Sequence, residues 1–241
     1  MNLLFRFLND LEKFVFPSFC PICDNELKKT EIICSRCLNK TFFVSREKCK
    51  ICGKPLKSGK ICKKCKERIP CFDFVISCGS YVPPFSDIIK IYKYRNRPSL
   101  SKQLARKLYA NYLSHGDAQD IKYSTWVPMT KAEKRERGYN QSRLLSFYFS
   151  KISSLTSIGL LRKTSSIPSQ TTLPYEKRFT NVKNAYHIRK NKLKEFQGNP
   201  EKGIILIDDV LTTGSTLNEC AAKLKKAGFK RVIGLVLAIS P

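Results

Sequence analysis

The chain has 241 residues, 42% of them hydrophobic, enough for one core of ordinary size plus a smaller module, which excludes both a disordered chain and a mini-protein. No apolar run approaches the ~20 residues of a bilayer-spanning helix, and Arg6, Asp10, Glu12 and Lys13 interrupt the first stretch, so neither a transmembrane segment nor a secretory signal is expected, and a cytoplasmic setting is. Lys and Arg number 45 against 19 Asp and Glu, and the net +26 divides as +9 over 1–70 and +17 over 71–241. A chain so charged repels itself unless a polyanion or an anionic membrane face shares its working life, and nucleic acid is the first partner to consider.

In chain order, Leu3, Leu4, Phe7, Leu8, Leu11, Phe14 and Val15 recur at helical spacing before Pro17 ends the pattern, predicting an amphipathic helix over 1–19. Its apolar stripe suits packing on protein more than lying on the inner face of a membrane.

Eight of the eleven cysteines then form four identical pairs: Cys20 and Cys23, Cys34 and Cys37, Cys49 and Cys52, Cys62 and Cys65. Two thiolates two residues apart on a tight turn face one metal, and two such turns complete the four sulfurs that tetrahedral zinc prefers. Two structural zinc ions in a double zinc ribbon over 20–70 are expected, in preference to disulfides, which a cytosol would keep reduced. Sequential pairing is favoured, although the spacing also permits an interleaved cross-brace. The apolar content of this segment is too small to fold it unaided, so metal must supply much of the folding free energy. Cys71, Cys78 and Cys220 lack such partners and read as small apolar residues.

After Pro70, alternation at Phe72, Phe74, Ile76 and Cys78 predicts a strand, and Asp87–Tyr94 and Ser99–Leu113 read as helices. Tyr123–Val127 reads as a strand ending at Pro128, the basic residues Lys131, Lys134, Arg135 and Arg137 then crowd ahead of Gly138, Asn140–Lys151 reads as a helix, and Ser150–Thr172 as a mobile loop or linker. His115 and His187 have no metal-ligand neighbours and read as surface residues.

The sharpest signal is Ile204–Leu211 running through Asp208 and Asp209 into Thr212, Thr213, Gly214, Ser215 and Thr216, then a helix. Four successive aliphatics suit a strand covered on both faces of a parallel sheet. The hydroxyls and N–H groups that follow, at a helix N-terminus, suit an anion. Two acids beside a phosphate cradle would repel the phosphate, so they suit a different role, either accepting from ribose hydroxyls or holding Mg²⁺ directly or through water.

The string IILIDDVLTTGST resembles the phosphoribosyl pyrophosphate (PRPP) motif of type I phosphoribosyltransferases. Together with the CxxC pairs, KRERGYNQS at 134–142, the Gln170, Arg178, Asn181, Val182, Ala185, Tyr186 stretch and the terminal VIGLVLA, the chain resembles the ComF family of competence proteins along nearly its whole length. The resemblance implies an α/β fold, with a type I phosphoribosyltransferase-like parallel sheet over 71–241, helices on both faces, and the double zinc ribbon ahead of it. It implies PRPP bound with Mg²⁺: Asp208 and Asp209 at the ribose and metal, Thr212 to Thr216 on the 5′-phosphate, and Lys134, Arg135, Arg137 and Gly138 in the pyrophosphate loop. It also implies a part in the uptake of transforming single-stranded DNA. Lys93, Arg95 and Arg97 form the basic cluster assigned to DNA phosphates. Thr212 stands where purine-salvage enzymes carry an acid, which argues against hypoxanthine or guanine as acceptor. Two other readings stay open: a working phosphoribosyltransferase of the glycosyltransferase class with an unknown acceptor, and a scaffold whose ribbons dock a DNA translocation helicase or another competence protein.

Overall fold

The computed structural model describes residues 19–27, 31–41, 43–164 and 185–241. The helix expected over 1–19 lies, apart from Phe19, outside the described residues, as do Gln170, Arg178, Asn181 and Val182.

Each cysteine module is built the same way. In the first, the Cys20 N–H bonds Asn25 O at 2.8 Å and the Asp24 N–H bonds Cys20 O at 2.9 Å, turning Cys20 and Cys23 to one point. Cys34 then caps the short helix α1 (Ser35–Asn39). In the second, Cys49 N–H to Lys54 O and Gly53 N–H to Cys49 O, both 2.8 Å, make the equivalent turn, and Cys62 precedes α2 (Lys63–Glu67).

The rest of the chain supplies β1 (Phe74–Ser77), α3 (Phe85–Tyr94), α4 (Leu100–Leu113), β2 (Tyr123–Trp126), α5 (Lys131–Arg137), α6 (Gln141–Ser150), β3 (Thr156–Ser157), β4 (Leu161–Lys163), β5 (Tyr186–Ile188), α7 (Lys190–Lys194), β6 (Ile204–Leu211), α8 (Ser215–Lys226) and β7 (Val232–Ile239). Five strands form one sheet in the order β1-β7-β6-β2-β3, every neighbouring pair parallel, while β4 and β5 form a separate antiparallel ribbon. Because side chains alternate across a strand, the aliphatic run of β6 feeds two cores. Ile205 and Ile207 pack with Ile88, Tyr92, Leu104, Leu108, Leu145 and Phe149 from α3, α4 and α6. Ile204 and Leu206 pack with Leu217, Cys220, Ala221 and Leu224 from α8. The sheet is thus covered by helices on both faces, as expected.

The ribbons are not pendant. Cys20, Ile33 and Cys37 belong to the first core and Cys49, Cys52 and Cys65 to the second, so the two ribbons dock on opposite faces of the sheet. Gly53 sits at φ +69, a conformation that other L-residues resist, and its α-carbon lies so near β7 that a Cβ would fall 2.6 Å from the Cδ1 of Ile239.

The basic segment before Gly138 is helix α5: Thr130 caps it and Glu133 bonds back to the Thr130 N–H, a reciprocal cap that satisfies two orphan donors. One expectation is corrected. The described part of Ser150–Thr172 carries β3 and β4 in place of a loop, because Leu155, Leu160 and Leu161 are buried in the cores.

Candidate functional site

The sheet changes winding direction between β2 and β6: from β2 the chain moves outward to β3, and from β6 outward on the other side to β7. The carboxyl ends of strands at such a switch leave a crevice, the usual ligand site of parallel α/β sheets. Trp126 pairs with Ile207, the Val127 N–H still reaches Ile207 O at 3.0 Å, and β6 then runs on to Leu211. Asp208 and Asp209 therefore lie where β6 has lost its β2 neighbour. A cleft of about 120 Å³ opens here, lined by Val127–Met129, Glu133, Arg137, Gln141, Ser142, Lys163, Tyr186, Asp208, Asp209 and Thr216.

The acid pair is held from two sides. The Ser142 hydroxyl donates to Asp208 Oδ1 at 2.8 Å and the Asp209 N–H donates to the same oxygen at 2.9 Å. Burial, and then the neighbouring Asp209 charge, push Asp208 up to about 7. Asp209 Oδ1 lies 2.8 Å from Lys93 Nζ, with side chains 12% and 14% exposed. Burial alone would lower the Lys93 ammonium's pKa; the Asp209 charge and hydrogen bond outweigh it and hold it above its ordinary value. Such a pair is fixed in place, because separating the partners would leave an uncompensated charge in a poorly solvated site.

The GYNQS segment explains how these groups meet. Tyr139 packs on Tyr92 with centroids 5.6 Å apart and donates its hydroxyl to Tyr92 O, while Tyr92 donates to Gln141 O at 2.9 Å. This locks the last turn of α3, and so Lys93, against the start of α6. Asn140 donates to Val127 O at 3.2 Å and caps α6 through the Arg143 N–H, fixing Ser142 beside β6. Across the cleft, Lys163 of β4 meets Glu133 of α5 at 2.6 Å, tying the β4–β5 ribbon to the basic helix.

Beyond β6 the chain turns at Gly214, whose φ of +80 is a conformation that other L-residues resist, and α8 begins at Ser215. Thr213 Oγ1 is 2.9 Å from Ser215 Oγ and accepts the Ser215 N–H at 3.3 Å. Lys64 of the second ribbon donates to Thr213 O at 2.6 Å, so a zinc module braces this loop.

The eight thiols fall into two groups, Cys20, Cys23, Cys34, Cys37 and Cys49, Cys52, Cys62, Cys65, with the sulfurs of each within 4.8 Å of one another. The pairing is sequential, and the cross-brace is excluded. Cys23 and Cys34 sulfurs are 3.6 Å apart, Cys52 and Cys62 sulfurs 3.7 Å, close to the edge of about 3.8 Å of a tetrahedron with Zn–S bonds of ~2.3 Å. Cys23 is lowered to about 6, first by a backbone hydrogen bond at Asn25. In Cys49, burial is opposed by backbone hydrogen bonds at Cys52, Cys62 and Ile51, which bring the thiol down to about 7. Both sites fit structural zinc.

Among the other candidates, Arg137 lines the cleft and lies over the Tyr94 ring at 5.5 Å, whereas Lys134, Arg135 and Gly138 do not line it. Thr216 lines the cleft, while Thr212, Thr213, Gly214 and Ser215 face a neighbouring cavity. Lys93, expected with Arg95 and Arg97 on a DNA surface, is instead turned inward and half-buried against Asp209, and of the three only the two arginines are exposed. Sequence patterns did not assign Ser142, Gln141, Glu133, Lys163 or Tyr186 to the cleft; membership of GYNQS was the one signal for Gln141 and Ser142.

Residues 11–66 match the double zinc ribbon domain model. The chain is 30% identical over 205 residues to competence protein F of Haemophilus influenzae, covering 83% of this chain and 87% of the relative. DNA utilization protein YhgH of Escherichia coli is 27% identical over 218 residues, 88% of this chain and 92% of the relative. Competence protein ComFC of Bacillus subtilis is 24% identical over 230 residues, 87% and 89%. Among solved structures, the allosteric regulatory enzyme of purine biosynthesis aligns with 61% of this chain and 30% of its own length, at 14% identity and a TM-score of 0.37. With 30% identity to competence protein F over most of both chains, and a double zinc ribbon match over 11–66, this chain belongs to the ComF family of competence proteins.

Proposed function

We propose that the chain binds PRPP with Mg²⁺ in the β2–β6 crevice and takes part in handling the single-stranded DNA that enters during natural transformation. The observation that carries the reading is the placement of Asp208 and Asp209 at the carboxyl end of β6, at the sheet's switch point, a short step before the hydroxyl-rich Thr212–Thr216 turn. A ribose offers two vicinal hydroxyl donors to such a pair, and a 5′-phosphate is favoured at the start of α8. Mg²⁺ held by the two carboxylates, directly or through water, would supply the positive charge that lets a pyrophosphate lie beside them. Arg137, planar and always charged, suits the same pyrophosphate.

The DNA part of the reading is supported by the names of the competence and DNA utilization relatives and by the net charge of +26. A second reading, a transferase with an unknown acceptor, is favoured by Glu133, a third carboxylate lining the cleft from a separate element. Calorimetric titration of the zinc-loaded chain with PRPP and Mg²⁺ tests the first reading: saturable, Mg²⁺-dependent binding lost in Asp208→Asn is expected, and absence of binding overturns it. Pyrophosphate released on adding nucleobases would establish the second.

A further inference from the structure

The last turn of α3 sends successive side chains in different directions. Lys93 turns inward to Asp209, whereas Tyr94, the next residue, is 64% exposed and takes no part in the cleft lining. Arg137, from the end of α5, lies over the Tyr94 ring at 5.5 Å and also lines the cleft with Asp208 and Asp209, so one guanidinium touches both the ring and the crevice. The two helix ends abut: a Cβ at Gly138 would meet Asn96 Oδ1 at 3.5 Å. They expose Arg95, Arg97, Lys134 and Arg135, against Glu136 as the one fully exposed acid. None of these four cations, nor Arg137, has a carboxylate partner among the described residues. An open ring beside unpaired cations has the makeup of a single-strand platform, where a base of any identity stacks on the ring and the cations meet phosphates. An acidic protein surface would pair with the cations but makes no demand for an exposed ring among them.

We propose that Tyr94 is the platform on which a base of single-stranded DNA stacks, and that Arg137 serves either this platform or PRPP, so that the two ligands weaken each other's binding. The inference rests on the reading of the crevice as the PRPP site. Over Tyr94, Arg137 adds a cation beside the DNA phosphates. Turned into the crevice, it takes up the pyrophosphate and leaves the platform one charge poorer. Each ligand therefore favours a different placement of the same side chain, and a coupling of this kind is reciprocal. PRPP thus acts as a release signal for a held strand.

The experiment follows a fluorescein-labelled thymidine strand of about ten nucleotides by anisotropy on the zinc-loaded full chain, with an abasic strand of equal length for comparison. The thymidine strand should bind about fivefold or more tighter than the abasic one; Tyr94→Ala should abolish that difference and Tyr94→Phe retain it. Against Mg²⁺ alone at matched ionic strength, saturating PRPP with Mg²⁺ should weaken the strand about fivefold, and calorimetry should find PRPP weakened by the same factor when the strand is saturating. Arg137→Gln should bring both factors close to one, and Asp208→Asn, which removes PRPP binding, should keep the strand. The proposal is overturned if the abasic strand binds the wild type equally, if Tyr94→Ala still prefers thymidine, if PRPP and strand bind independently, or if their coupling survives in Arg137→Gln. Loss of the strand together with PRPP in Asp208→Asn would put the DNA inside the crevice and overturn it as well. Failure of the PRPP reading looks different: the wild type then binds the strand through Tyr94 but no PRPP, which removes the coupling and leaves the platform.

Discussion

The side-chain amide of Gln103, in α4, pairs with both backbone groups of Ile33 in the first ribbon: Oε1 accepts the Ile33 N–H at 3.2 Å and Nε2 donates to the Ile33 carbonyl at 2.7 Å. Oε1 also accepts the Ile32 N–H at 2.9 Å. Gln103 is buried and so is Ile33, which makes this a fixed joint between zinc module and sheet domain. Gln103→Leu keeps the bulk and leaves three backbone groups unpaired, so a loss of about 2–4 kcal/mol is expected, given ~1–3 kcal/mol per buried orphan and partial relaxation. Hydrogen exchange should quicken at Ile32 and Ile33 before it does in β6 or β7. Unchanged exchange there would show that the joint carries no stability.

Metal analysis of reduced protein should return two zinc ions per chain, because two four-thiol sites leave no ligand over. The two ions are not equivalent for the loop after β6. Lys64 reaches Thr213 from α2, so Cys65→Ser should weaken PRPP binding several-fold, while Cys37→Ser, on the opposite face, leaves it within about twofold. Equal effects would mean that α2 does not brace the loop.

The largely enclosed Lys93–Asp209 pair predicts strong coupling. Lys93→Met alone strands a carboxylate beside Asp208, and Asp209→Asn alone strands an ammonium; each should cost about 3 kcal/mol, with the double variant regaining at least ~1.5 kcal/mol of the sum. Urea denaturation of the four proteins measures this. Strictly additive losses would show that the contact is energetically idle. Asp208→Asn, which leaves that pair intact, is the cleaner probe of PRPP binding.

Glu133 should make stability pH-dependent in the acid range. Burial opposes its charge, but the Lys163 ammonium and the Thr130 cap outweigh it and hold the carboxyl below its ordinary value. A depressed folded-state pKa contributes stability above the unfolded value of about 4.3 that is lost as pH falls through the lower folded value. Both side chains are partly exposed, so the contribution is about 1 kcal/mol at most. Wild type should exceed Lys163→Met in urea midpoint at pH 7 and converge with it near pH 3; a constant gap would exclude the pair as its source.

If single-stranded DNA lies along the exposed arginines after α3, affinity should fall steeply with salt, with a logarithmic slope of roughly −0.7 per neutralised phosphate. Arg95→Ala with Arg97→Ala should shallow that slope by about 1.4. Lys93, turned inward to Asp209, should change PRPP binding and leave the slope as it is.

Local chemistry wrote much of this protein into its sequence. Four evenly repeated CxxC pairs define metal sites because two residues span a turn, the unbroken Ile204–Ile207 run defines a strand buried on both faces, and Asp208 to Thr216 places acids, glycine and hydroxyls where a strand meets a helix. Tertiary structure alone chose between sequential and crossed cysteine pairing, since spacing allowed both. Only the sheet's winding brings the end of α3 beside the end of β6, and so turns Lys93 from a member of a basic cluster into Asp209's partner. Helix α5 forms because the Thr130–Glu133 cap satisfies its first turn. The opposite-face docking of the ribbons rests on Gln103, Gly53 and Lys64, residues whose partners lie in distant parts of the chain. Side-chain alternation along a strand is a short-range property and can be read; which surfaces meet across the fold depends on close packing between remote segments, which no local pattern encodes.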